Sequence, residues 1–179
     1  METLTSAIQK HVATVSISPS TVRGQGAPGV VAVVRDHLAS LRLSRFRVSD
    51  RGAFRRSLEG ATQDLVSALP AAARSWGLAR KCLNVFLRDS FYNARLVSEF
   101  GLGVAEPFFE VPLDRIVAKE LRRHAGRGLL PIWPGVRHLT ADMSEVYQAF
   151  ALELSASWGI ARVYLDTYLW VEGRERPGA

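Results

Sequence analysis

Apolar side chains recur along most of the chain at the three- and four-residue spacing of helices, and glycine, proline and serine separate these stretches. Residues 18–29 (SPSTVRGQGAPG) predict a loop, and the apolar positions of residues 30–43 predict a helix after it. Asp50 is a typical helix-capping residue, and the helix that follows it is expected to end near Pro70. Its core-facing residues are Phe54, Leu58, Leu65 and Leu69.

The middle of the chain predicts a turn followed by a helix. Gly77 indicates the turn, and residues 81–100 carry an apolar stripe at helical spacing that Gly101 and Gly103 would end. Its apolar residues are Leu83, Phe86, Leu87, Phe91 and Ala94.

The last third of the chain predicts three more helices. The first has Pro112 in its first turn, runs through Ile116 and ends at Gly126. The second follows Thr140 as its cap, and the third follows Gly159 and includes Trp170. Together the segments predict seven or eight helices and an all-α fold. The alternating stretch VATVSIS near residue 15 is the strongest strand-like pattern, and it is weak.

Length and composition limit the class of protein. With 179 residues, 47% of them hydrophobic and 22% charged, residues 1–179 are expected to form one globular domain. The longest apolar stretches, such as residues 29–34, fall far short of the roughly 20 residues of a membrane span, and no leader pattern opens the chain. We therefore expect a protein without membrane contact, located in the cytoplasm and, in a prokaryote, associated with the nucleoid.

Cysteine and histidine usage argues against metal chemistry. The single cysteine, Cys82, excludes a disulfide framework, a four-cysteine zinc site and a cysteine-ligated iron–sulfur cluster. The four histidines have no metal-ligand spacing. We therefore expect neither a metal nor another cofactor.

The charge balance indicates a polyanionic partner. Lysine and arginine number 23 against 17 acidic residues, which gives a net charge of +6 and a pI near 10.1. Only Lys10, Lys81 and Lys119 are lysines, and a lysine, unlike an arginine, can lose its proton and act as an amine nucleophile. The densest arginine clusters contain Arg42, Arg45, Arg47, Arg51, Arg55 and Arg56, and then Arg115, Arg122, Arg123 and Arg127.

The segment Trp76-Gly77-Leu78-Ala79-Arg80-Lys81 resembles the hairpin of the helix-hairpin-helix DNA glycosylase superfamily, in which a Gly-aliphatic-Gly-x-Lys turn carries the catalytic lysine. Ala79 stands where the second glycine is usual. The resemblance implies that Lys81 is catalytic. It also implies that Gly77, Ala79 and Arg80 contact a DNA phosphate through outward-facing N–H groups.

Later motifs resemble the archaeal 8-oxoguanine glycosylase branch of this superfamily. Val111-Pro112-Leu113-Asp114 is similar to the stretch that carries the catalytic aspartate, and Asp114 follows Lys81 by 33 residues, as the longer connection of that branch requires. Asp166 and Trp170, four residues apart on the final helix, and Gln25 in the N-terminal loop match its base-contacting residues. The resemblance implies one helical domain whose active-site cleft lies between two helical lobes.

The chemistry of base excision fits these residue types. The base must leave the stack, positive charge at C1′ must be stabilised, and a nucleophile must attack there. The Lys81 amine could form a Schiff base, while the Asp114 carboxylate could handle the proton and stabilise the charge. 8-Oxoguanine carries an N–H at N7, which Asp166 or the Gln25 carbonyl could accept, and Trp170 could stack on the base.

The sequence thus predicts a monomeric DNA repair glycosylase with abasic-site lyase activity, acting on double-stranded DNA that contains an oxidised purine, with 8-oxoguanine favoured. The alternative is a non-catalytic helical DNA-binding module, in which Lys81 only neutralises phosphate. Each residue also has a simpler interpretation: Asp114 as a helix cap, Trp170 as core, Asp166 as a solvated charge and Gln25 as an ordinary loop residue.

Overall fold

The protein is all-α in the computed structural model, which describes residues 3–25 and 28–175. Eight α-helices and four short 3₁₀ segments account for the regular structure of these residues, and none of them forms a strand. The predicted all-α class is confirmed. The α-helices are α1 (Leu4–Ser16), α2 (Val30–Ala39), α3 (Arg51–Ala68), α4 (Trp76–Tyr92), α5 (Ala94–Phe100), α6 (Arg115–Ala125), α7 (Ala141–Ser157) and α8 (Arg162–Glu175), and the 3₁₀ segments are Leu43–Phe46, Ala71–Ala73, Leu102–Phe108 and Val136–His138.

Helix α1 contains most of the strand-like VATVSIS stretch, and the sequence analysis did not identify it. The Thr3 side chain caps the helix by accepting a hydrogen bond from the Ser6 amide at 3.1 Å. Its buried positions follow the helical rather than the strand period, because this face packs against α2 and α4. Tertiary packing therefore outweighs the preference of β-branched residues for strands. The buried residues are Gln9, Val12, Ala13 and Ser16.

Helix α4 begins earlier than predicted, and the expected turn at Gly77 is wrong. Ser75 caps the helix through the Leu78 amide, and Gly77 lies in its first turn. A Cβ at Gly77 would lie 2.1 Å from the Val136 carbonyl oxygen, so the missing side chain lets α4 pack directly on the segment before α7.

The same helix also ends earlier than predicted. It stops at Tyr92, and the Asn93 side chain begins α5 by accepting a hydrogen bond from the Leu96 amide. Gly101, with a φ of +64°, then ends α5 as the sequence predicted. The single predicted helix of residues 81–100 is therefore two helices joined at a cap.

Three other caps are confirmed by their hydrogen bonds. The Asp50 carboxylate accepts from the Ala53 amide at 2.7 Å and begins α3, and the Thr140 hydroxyl accepts from the Met143 amide at 3.2 Å and begins α7. Asp114 begins α6 in the same way. Capping depends on residues within one turn, which is why the starts of α3 and α7 could be located in the sequence. Pro112, predicted in the first turn of the helix that is α6, lies before its Asp114 cap.

The hydrophobic core divides into two clusters. The first is built mainly from α1 to α5, and the second from α6, α7 and α8 with the segments that precede α6 and α7. Helix α8 contributes to both, since Val163 belongs to the first cluster and Leu165 and Leu169 to the second. Within residues 3–25 and 28–175, no helix is both long enough and apolar enough to cross a membrane.

Candidate active site

A cavity of about 370 Å³ is lined by helices α4 and α8, the start of α6 and the loop that follows α1. Four residues singled out in the sequence line it, although 89 positions separate the first from the last: Lys81, Asp114, Asp166 and Trp170. Folding thus brings together an amine, two carboxylates and an indole.

Lys81 lies in the second turn of α4, and its side chain is half-buried. The Nζ atom donates a hydrogen bond of 2.8 Å to the carbonyl oxygen of Thr21, in the loop after α1. Among the described residues, no carboxylate oxygen lies within 4.0 Å of Nζ. The amine is therefore held by a neutral acceptor, with the Asp114 carboxylate beyond ion-pair distance in the same cavity.

Asp114 is both a helix cap and a cavity residue. Its Oδ1 atom accepts hydrogen bonds from the amides of Ile116 at 2.8 Å and Val117 at 2.9 Å. The carboxylate is held at the positive end of α6, which stabilises its charge. Within the described part of the chain Oδ2 accepts no hydrogen bond, so this oxygen is available to a group in the cavity.

Asp166 is almost buried, with 8% of its surface exposed, and forms an ion pair with Arg88. Arg88 also pairs with Asp89 at 2.8 Å, and Asp89 in turn accepts a hydrogen bond of 2.6 Å from the Ser16 hydroxyl. This chain of polar contacts joins α1, α4 and α8 beside the cavity.

Trp170 lies one helical turn beyond Asp166 on α8, and both side chains line the cavity. The indole is 43% exposed, so one part of it faces solvent and another faces the cavity. A flat aromatic surface beside a carboxylate can stack on a planar ring while the carboxylate accepts from the ring's edge.

Gln25 is not among the residues that line the cavity. It is buried, its Nε2 atom donates to the Arg23 carbonyl at 3.5 Å, and its Oε1 atom is buried with no hydrogen-bond partner among the described residues. It does not line the cavity, whereas Arg23, two residues earlier, does. The predicted contact of Gln25 with the base thus has no geometric support in this structure.

Gly77, Ala79 and Arg80 do not form the exposed turn that the sequence predicted. All three are buried because this part of α4 is covered on more than one side, so the predicted contact with a DNA phosphate loses its structural basis. Arg80 instead stacks on Trp76, 4.7 Å from the ring centre, and donates to Glu59 at 2.8 Å, lining a second cavity of about 260 Å³.

Arg88 is a cavity residue that the sequence analysis missed. It follows Lys81 by seven residues, which is two helical turns, so both side chains lie on the same face of α4. That spacing was visible in the sequence. The contact with Asp166, 78 residues later, was not.

The two arginine clusters lie outside this cavity, and several of their members have acidic partners. Arg45 pairs with Asp64 at 3.2 Å, and Arg123 pairs with Glu120 at 2.7 Å. Part of the positive charge is thus balanced within the fold. At the cavity itself the charged residues are Lys81, Arg23, Arg88, Asp114 and Asp166, an excess of one positive charge.

The cavity residues suit acid–base and nucleophilic chemistry of ordinary side chains. In the described part of the chain, no three His, Cys, Asp or Glu side chains are grouped to hold a metal ion. Comparison with protein-family models, curated proteins and solved structures gives no match to this chain. The family resemblance therefore depends on the motifs quoted above and stays a prediction.

Proposed function

We propose that this protein is a DNA base-excision repair glycosylase with abasic-site lyase activity, and that its substrate is an oxidised purine, 8-oxoguanine above all, in double-stranded DNA. The observation that carries the proposal is the shared cavity of Lys81, Asp114, Asp166 and Trp170. The resemblance assigns a role in excision to each of them. A set of unrelated surface residues would not be expected to converge in this way.

The chemistry begins at C1′ of the damaged nucleotide. The Lys81 amine attacks C1′ through its lone pair and loses a proton, the bond from C1′ to N9 of the base breaks, and the base leaves with the bonding electrons and takes up a proton. The C1′–O4′ bond then opens, O4′ becomes a hydroxyl, and an imine joins C1′ to Nζ. Loss of a C2′ proton expels the 3′ phosphate, and water hydrolyses the imine to restore the amine.

Asp114 supports the first of these steps by its position. Oδ1 caps α6 and so fixes the carboxylate, while Oδ2 is available in the cavity. A fixed negative charge stabilises the positive charge that develops on the sugar, and the same oxygen can take the proton that the lysine loses. The amine and the carboxylate lie more than 4.0 Å apart, so neither charge is neutralised by an ion pair with the other.

Asp166 and Trp170 support base recognition. In this proposal Trp170, which lines the cavity, stacks on the base, and Asp166 accepts from the N7–H of 8-oxoguanine, a donor that guanine lacks. The net charge of +6 favours binding to the phosphate backbone and makes affinity fall as salt rises.

Trapping with borohydride tests the proposal. The wild type is incubated with a duplex that contains one 8-oxoguanine, and reduction of the imine would leave a covalent protein–DNA adduct that migrates slowly on a denaturing gel. We expect Lys81→Gln to abolish the adduct, because a carboxamide cannot form the imine.

The matched control is Lys119→Gln, which removes an exposed lysine on α6 that does not line the cavity and should leave the adduct unchanged. An adduct that persists in Lys81→Gln would contradict the assignment of the nucleophile. DNA binding without any adduct, on this lesion and on a panel of other damaged bases, would favour the non-catalytic DNA-binding module.

A further inference from the structure

Arg88 lies where the glycosylase proposal places the damaged base. It lines the cavity on the same face of α4 as Lys81, and 20% of its side chain is exposed. Its guanidinium contacts two carboxylates at once, Asp89 on its own helix and Asp166 on α8.

The contact restricts the Asp166 carboxylate. Arg88 donates through Nη1 to Oδ2 of Asp166, so one carboxylate oxygen is occupied. In the described part of the chain the other oxygen, Oδ1, accepts no hydrogen bond. A guanidinium can only donate hydrogen bonds, so its contact orients Asp166 as an acceptor.

Arg88 is itself held in place. Its Nε donates to Oδ1 of Asp89 at 2.8 Å, and Oδ2 of Asp89 accepts from the Ser16 hydroxyl at 2.6 Å. The guanidinium is thus fixed from α1 and α4 before it meets α8. A recognition group that is fixed in advance loses less conformational entropy when the ligand binds.

A fixed acceptor at Asp166 favours 8-oxoguanine over guanine. Guanine presents a lone pair at N7, which would face the negative charge of Asp166 and be repelled. 8-Oxoguanine presents N7–H flanked by the carbonyl oxygens O6 and O8, and Arg88 has more N–H groups than its carboxylate contacts require. Asp166 and Arg88 therefore place an acceptor beside a donor. This arrangement complements the N7–H and carbonyl oxygens of 8-oxoguanine and repels the N7 lone pair of guanine.

We propose that Arg88 is a positioning residue that holds Asp166 as a hydrogen-bond acceptor in the cavity and so determines that the site takes a base with an N–H donor. This inference rests on the proposed glycosylase function. It assigns no part in the bond-breaking steps to Arg88.

The test separates base excision from the lyase step. Single-turnover rates are measured on two duplexes, one with 8-oxoguanine and one with a preformed abasic site, which has no base to recognise. We expect Arg88→Gln to slow excision of 8-oxoguanine by about tenfold or more, the value of one hydrogen bond to a charged group, and to leave cleavage at the abasic site nearly unchanged. Arg88→Lys, which keeps the charge, should fall between Arg88→Gln and the wild type.

Two further comparisons exclude a merely structural role. The double variant Arg88→Gln with Asp166→Asn should excise 8-oxoguanine at the rate of the slower single variant. The two effects should not add, because both substitutions break the same contact. Arg95→Gln breaks an exposed ion pair with Glu99 on α5 and should match the wild type on both duplexes.

Equal losses on both duplexes, unchanged excision, or additive effects of the two substitutions would each overturn the role of Arg88. Failure of the glycosylase proposal gives a different result: the wild type itself would then form no adduct on either duplex, and the inference would fall with it. Thermal melting shows whether each variant folds. If Arg88→Gln does not fold, the rates of Arg88→Lys on the two duplexes test the role of Arg88.

Discussion

At the scale of single residues, three neighbours on α4 face three different surroundings. Arg80 is buried against Glu59, Lys81 faces the cavity and contacts the Thr21 carbonyl, and Cys82 lies in the core with no exposed surface. Successive residues of an α-helix point about 100° apart, so this divergence follows from helical geometry. A substitution at Lys81 therefore alters the cavity and leaves the core side of the helix intact.

Gly77 gives a prediction about stability at this scale. Its absent side chain admits the Val136 carbonyl oxygen, which would lie 2.1 Å from an added Cβ. Backbone cannot rotate out of the way as a flexible side chain can, so we expect Gly77→Ala to lower the free energy of unfolding by about 1–3 kcal/mol. Urea denaturation measures the change.

The control for this prediction is Gly103→Ala, because the nearest atom to a Cβ there is Cγ1 of Val97, at an ordinary contact distance of 3.9 Å. This variant should unfold within about 0.5 kcal/mol of the wild type. Equal unfolding free energies for the two variants would show that the close contact at Gly77 relaxes without cost.

At the scale of elements, the start of α6 links secondary structure to chemistry. Asp114 accepts the amides of Ile116 and Val117 through one oxygen, and the same geometry places the carboxylate at the cavity. The cap interpretation and the catalytic interpretation of this residue are therefore compatible. They differ in what each requires, since a cap needs an acceptor oxygen and the chemistry needs a negative charge.

Two substitutions of Asp114 separate the two roles. Asparagine caps helices as well as aspartate does, so Asp114→Asn should keep the unfolding free energy, while Asp114→Ala should lose about 1 kcal/mol. Both variants should form much less borohydride-trapped adduct, because both lack the charge. A stable Asp114→Asn variant that forms adduct at the wild-type rate would limit Asp114 to the capping role.

Two of the helix starts that carry a polar cap were predicted from the sequence. Asp50 and Thr140 identified α3 and α7 because a cap and the amide it binds lie within one turn. The start of α4 was misplaced, since Gly77 resembles a turn residue and its helical position is decided by packing on Val136. Helix α1 was missed because its β-branched residues obscure a buried face that only α2 and α4 complete.

At the scale of the whole molecule, α8 joins the two halves of the core. It contributes Val163 to one hydrophobic cluster and Leu165 to the other, and its Asp166 carries the ion pair that reaches α4. The cavity lies at this junction. The helices that line it, α4, α6 and α8, contribute other residues to the two clusters.

Burial of Cys82 predicts how stability responds to alkaline pH. Removal from water raises the pKa of its thiol from an ordinary value of 9.0 to about 12. Below pH 9 the thiol keeps its proton in both the folded and the unfolded chain. Between pH 9 and 12 only the unfolded chain loses it, so the free energy of unfolding should fall by up to about 1.4 kcal/mol per pH unit.

Urea denaturation at pH 8 and at pH 10 checks this expectation, with Cys82→Ala as the control. The variant should lose less stability than the wild type between the two pH values. Burial also raises the pKa of Tyr147, so a smaller loss should persist in the variant. Parallel losses in both proteins would show that the thiol does not contribute.

For this protein, the sequence by itself determined the helical class, several helix boundaries and the residue types suited to base excision. Amphipathic periodicity and capping act over three or four residues, so they can be read locally. The order of the motifs along the chain also predicted the members of a candidate site, which are Lys81, Asp114, Asp166 and Trp170.

Only the tertiary structure decided that these four residues share a cavity, that Arg88 holds Asp166, and that Gln25 lies outside the cavity lining. It also decided that Gly77 and Ala79 are buried rather than exposed in a turn. Each of these outcomes depends on how helices distant in the chain pack together. Such packing is set by the fit of many side chains at once, and no local pattern in the sequence encodes it.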